Sequence, residues 1–121
     1  MTQVNDYLPP EEILAQLAEE AAELAQAALK LRRVMDGTNP TPVTLEEAVR
    51  SLNEEMADVT LCFDLLPIFA NYSLINETRE RKEERWKKRL AEDRLEKKRR
   101  ICEQRRERLR LSRRRDPNGT V

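Results

Sequence analysis

The chain has 121 residues, of which 38% are charged, 39% apolar and only 4% aromatic, with two glycines in all. That length suits one domain, and so few turn and β-prone residues exclude a sandwich or barrel, leaving an all-α fold of three to four helices. The net charge of zero hides a divide: residues 1–60 hold 12 acids and 4 bases, residues 61–121 hold 11 acids and 19 bases.

In chain order, Pro9 and Pro10 lead into a first predicted helix, with Glu11 and Glu12 at the positive end of its dipole. Ile13, Leu17, Leu24, Ala27, Leu31 and Val34 recur at helical spacing, and Gly37 is a left-handed stop. Residues 37–42 read as a loop. Thr44 with Glu47 makes a capping box for a second helix, whose stripe runs Leu45, Ala48, Val49, Leu52, Met56, Val59, Phe63 and Leu66 until Pro67 kinks or ends it. After a break near Asn71–Ser73, a third helix is expected to run through Trp86 and Leu90. Residues 1–90 are read as the domain. Residues 91–121, with 12 bases against 6 acids and no sustained apolar stripe, are read as a helical or partly disordered basic tail ended by Asp116-Pro117-Asn118-Gly119.

The absences bound the chemistry. There is no histidine, so imidazole catalysis and His-metal sites are excluded. Two glycines build neither a P-loop nor a G-x-G-x-x-G turn. Cys62 and Cys102 show no C-x-x-C spacing and suit a reducing cytoplasm, and no apolar run reaches the ~18 residues of a membrane span.

Two acidic segments stand out, Glu19-Glu20-Ala21-Ala22-Glu23 and Glu54-Glu55-Met56-Ala57-Asp58. Within each, an i,i+3 pair lies about one turn and ~60° apart on a helix. Glu20 falls in line with Ile13, Leu17, Leu24, Ala27 and Leu31, and Glu55 in line with Leu52, Val59, Cys62 and Leu66. Each helix therefore has an acid inside its apolar seam, and packing the seams together gathers Glu20, Glu23, Glu55 and Asp58. Glu19 and Glu54 fall on the outer side. At 4 Å a pair of such charges repels by ~4 kcal/mol at an effective dielectric of about 20. Either protonation or a bound cation must relieve that, and oxygen ligands select Mg²⁺, with Mn²⁺ as a substitute.

EEAAE followed by EMAD resembles the EExxE…ExxD signature of MazG-like nucleotide pyrophosphohydrolases, the all-α NTP pyrophosphatase superfamily. The connecting LKLRR and DGTNPTP look like phage and prophage members, and Lys82-Glu83-Glu84-Arg85-Trp86 resembles their Lys-x-x-Arg stretch. The likeness covers about residues 11–90. It implies Mg²⁺-dependent cleavage of a nucleoside triphosphate between the α- and β-phosphorus, with Glu20, Glu23, Glu55 and Asp58 as metal ligands and catalytic carboxylates. Lys82 and Arg85 would neutralise phosphate oxygens, the alternative being a solvated basic face. Asn71, Tyr72 and Trp86 are weaker candidates for base or sugar contacts, and Trp86 suits packing better. The sequence departs from the family in the long spacing between the acidic motifs, accommodated by the 36–43 loop, and in the arginine-rich tail after Leu90, whose presence and purpose the family does not explain.

Two other readings compete. The tail suggests a nucleic-acid-binding helical protein, with polyanion attraction through Arg94 to Arg115, although it lacks interleaved aromatics. A structural, self-assembling helical module is the third. In every case wide apolar faces on few helices lead to the expectation of a homo-oligomer, a dimer or tetramer.

Overall fold

A computed structural model describes residues 2–37 and 40–115. Among them every regular element is helical: a short 3₁₀ turn at Val4–Asp6, then α1 (Pro10–Asp36), α2 (Leu45–Asp64) and α3 (Tyr72–Arg115). The fold class is all-α, as composition required. No described helix is long and apolar enough to cross a membrane.

The termini of α1 and α2 follow from their sequences. Pro10 occupies the first helical position of α1, where its missing N–H costs nothing. Gly37, at φ 66°, closes the helix by donating its N–H to the Arg33 carbonyl at 3.0 Å. At α2, the Glu47 N–H donates to Thr44 Oγ1 at 3.1 Å and the Thr44 N–H donates to Glu47 Oε2 at 3.2 Å, the reciprocal capping box. This helix stops at Asp64, three residues short of Pro67, because the ring of Pro67 disfavours helical backbone just before it. Leu66 lies beyond the helix and is the largest fully buried side chain, only 2% exposed.

The molecule divides into two compact units, each in contact mainly with itself, with the boundary between Asn71 and Tyr72. The first is an antiparallel hairpin of α1 and α2. Its core is Ile13, Cys62 and Leu66, with Leu17 and Leu65 packed against them. Further along, Ala27 and Ala48 are buried at the interface; their small side chains let the two helices run close. Leu45, Val49 and Met56, which the sequence placed in the stripe of α2, are exposed. The inward line of that helix is Ala48, Leu52, Glu55, Val59 and Cys62, at strict three- and four-residue spacing, with Ala48 and Cys62 buried and the three between them half-buried.

The second unit holds α3, 44 residues or ~66 Å of helix, with no buried residue. No break falls at Leu90: the helix continues to Arg115 through side chains that pair one turn apart, among them Lys97 with Asp93 at 2.9 Å and Arg110 with Glu107 at 2.8 Å. Arg99 and Arg100 both pair with Glu96, whose carboxyl is held below its ordinary value chiefly by the hydrogen bond from Arg99. The expected stop at Asp116–Gly119, and Thr38 and Asn39 of the expected loop, lie outside the described residues.

Candidate metal centre and its groove

Both seams carry an acid where an apolar residue belongs. Glu20 is the half-buried member of the α1 line between Leu17 and Leu24, and Glu55 is its counterpart on α2 between Leu52 and Val59. Because the helices are antiparallel, Ile13 meets the Cys62–Leu66 end, which sets Glu20 level with Glu55. Glu23, one turn on from Glu20, joins them. Carboxylate oxygens of Glu20, Glu23 and Glu55 lie within 4.8 Å of one another.

The hydrogen bonding of this trio is incomplete. Gln16 Nε2 donates to Glu20 Oε1 at 2.7 Å. Oε2 of Glu20 and Oε2 of Glu55 are both buried and accept no hydrogen bond. A buried carboxylate oxygen without a donor costs several times what an exposed one does. Two such oxygens beside a third carboxylate form an oxygen-only donor set suited to a hard divalent cation. The residues present therefore fit Mg²⁺ or Mn²⁺.

Asp58 stands outside the trio. It lies one turn further along α2, exposed, and its charge together with that of Glu20 is felt by the Cys62 thiol. Burial first, then these two carboxylates, push the Cys62 thiol above its ordinary value of 9.0, so it stays neutral and inert at physiological pH. Glu19 and Glu54 are exposed on the outer faces, as their positions in the sequence required.

From the trio a groove of about 580 Å³ runs along the hairpin. Ala27 and Ser51 line its middle, Glu23 and Glu55 its acidic part, and Gln26, Leu29, Lys30 and Arg33 the remainder. Every described residue that lines it belongs to α1 or α2.

The other sequence-derived candidates lie at the unit boundary or on α3. Lys82 and Trp86 line a shallow depression with Arg79, Glu83, Lys87 and Leu90, and Trp86 is 67% exposed. Arg85 is exposed on the same helix, Tyr72 is its first residue and Asn71 precedes it. Lys30 and Arg33 are the groove residues that the acidic motifs did not indicate. A signal for them exists: the first 60 residues hold only four bases, and these are two of them.

Compared with known proteins, the chain matches no family model, no curated protein and no solved structure. The groove's own geometry carries the functional reading.

Proposed function

We propose that this chain is a Mg²⁺-dependent nucleoside triphosphate pyrophosphohydrolase, cleaving an NTP or dNTP between the α- and β-phosphorus. The observation that supports it most is the meeting of Glu20, Glu23 and Glu55 at the seam of α1 and α2, with two buried carboxylate oxygens left without donors. Glu20, Glu23 and Glu55 would hold Mg²⁺, which when bound offsets the charge of a triphosphate and acidifies a coordinated water. Water adds its oxygen to the α-phosphorus, and the bond from that phosphorus to the bridging oxygen breaks. Nucleoside monophosphate and pyrophosphate leave, and one proton is released. Asp58, exposed and outside the trio, accepts that proton and passes it to solvent, the task a histidine performs elsewhere. Gln16 orients Glu20 through its hydrogen bond.

Leu14, Val49, Met56 and Leu61 remain exposed on the hairpin, which supports assembly into a homodimer or tetramer. Two free thiols, one buried and one exposed, suit the reducing cytoplasm. A pyrophosphate-release screen of the common NTPs and dNTPs with Mg²⁺ tests the reading. Monophosphate and pyrophosphate in equal amounts, abolished by EDTA, are expected; orthophosphate as sole product, or full turnover in EDTA, contradicts it.

One observation favours a second activity for α3. Its side chains are all accessible, and Arg94, Lys98, Arg105, Arg106 and Arg108 make no ion pair among the described residues. Such a face attracts polyanions in a salt-dependent way.

A further inference from the structure

The groove is bipolar, and only its acidic part is used by the proposed cation site. Lys30 follows Glu23 by seven residues, two turns or ~10.5 Å along the same face of α1, and Arg33 follows one turn later. Neither makes an ion pair among the described residues, although the surrounding half of the chain carries three times as many acids as bases. Their neighbour Arg32 behaves differently: it is paired with Asp36 at 3.9 Å and does not line the groove. Arg33 is half-buried and has no carboxylate partner among the described residues. Unpaired cations at one end of a groove, and at the other Glu23 with Glu55, whose Oε2 has no donor among the described residues, call for a ligand that is itself anionic and carries a divalent cation. At about 580 Å³ the groove is in the size range of small-molecule sites.

We propose that Lys30 and Arg33 form an anion subsite that takes the diphosphate portion of a metal-bound polyphosphate, the part that departs as pyrophosphate. The subsite deepens the hydrolase reading and rests on it for the placement of the cation. Arg33 grips two oxygens with its planar fork and Lys30 adds a point charge. Both gain strength as negative charge builds on the leaving group. Gln26, one turn before Lys30, adds a neutral polar group to the same wall.

Calorimetric binding of inorganic pyrophosphate to the full chain, with and without Mg²⁺, tests this without turnover. Wild type should bind in a Mg²⁺-dependent manner. Lys30→Gln and Arg33→Gln should each weaken binding roughly tenfold or more, the size of a charge-assisted hydrogen bond. Lys30→Arg should retain affinity, and Arg32→Gln should be silent. Circular-dichroism melts verify that each variant is folded, and Lys30, exposed on its helix, carries the test should Arg33→Gln melt early. Mg²⁺-dependent binding that the double variant leaves intact would overturn the subsite and spare the cation site. Binding that needs both bases but ignores Mg²⁺ would uphold the subsite and overturn the cation reading. Absence of pyrophosphate binding by wild type under either condition would overturn the subsite.

Discussion

The hairpin of α1 and α2 and the long helix α3 draw on the same alphabet of Leu, Glu, Lys and Arg, and differ in spacing. On α1 and α2 the apolar residues return every three or four positions, so one line of each helix is buried: Ile13 and Ala27 on one, Ala48 and Cys62 on the other. On α3, Leu90, Leu95, Ile101, Leu109 and Leu111 scatter round the axis, and none is buried. The difference shows what a misplaced charge means in each setting. On α3, Glu83, Glu84, Glu96 and Glu107 each find a base one turn away. A glutamate inside the hairpin seam finds another glutamate, and two of the resulting oxygens find nothing. An acid that interrupts an apolar seam is therefore informative, whereas the same residue on an exposed helix is ordinary.

The sharpest way to break this contrast is to remove an acid inside the seam and, separately, an exposed one beside it. Glu20→Ala or Glu55→Ala should lower turnover by at least ~100-fold while leaving the fold as stable or more so, since mutual repulsion is relieved. Glu19→Ala should alter turnover less than about twofold. The reverse pattern, read from initial rates and thermal melts, would show that the seam does not define the site.

Stability should divide the same way. Leu66→Ala removes the largest fully buried side chain and should cost about 2–5 kcal/mol in urea unfolding. Leu95→Ala, at an exposed position, should stay within ~0.5 kcal/mol. Equal losses would mean that α3 has a covered face.

Gly37→Ala should cost about 1 kcal/mol. At φ 66° a side chain is strained even though nothing lies within 4 Å of the added Cβ, so the loss is backbone strain alone. A thermal melt unchanged within error would show that the α1 terminus can close in another way.

The smallest effect concerns Cys62. Its thiol is raised in the folded chain, so its contribution is fully present below the ordinary value of 9.0 and is lost as pH rises through the folded value. Unfolding free energy should fall as pH rises through and above 9.0 by an amount that Cys62→Ala abolishes. An identical pH slope in that variant would assign the loss to other groups.

Much of this was legible in advance because it depends on periodicity and caps. Thr44 with Glu47, Gly37, and the inward places of Glu20 and Glu55 are all local patterns that tertiary packing had no cause to override. The exposure of Leu45, Val49 and Met56 was not legible, since an isolated α2 has a broad apolar face and only the close approach at Ala27 and Ala48 selects which edge is covered. Helix beyond Leu90 was legible from high propensity and acid–base spacing, the same ion pairs that sustain α3; that it joins the third helix without interruption was not, since the loss of the apolar stripe at Leu90 does not interrupt the backbone. The convergence of three carboxylates, with Asp58 apart, depends on rotation about the helix axes, which spacing alone leaves open to about the ~60° between i and i+3. Lys30 and Arg33 were hidden because they lie beyond the acidic motif, and only the groove joins them to it.

The most direct test of the central claim is a Mn²⁺ titration followed by electron paramagnetic resonance, comparing wild type with Glu20→Gln, Glu55→Gln, Glu19→Gln and Glu54→Gln. A saturable site present in wild type, lost or weakened at least tenfold in the first two variants and intact in the last two, is the predicted result. Mn²⁺ binding that is equal in all five chains, or absent from wild type, would contradict a metal centre at the seam.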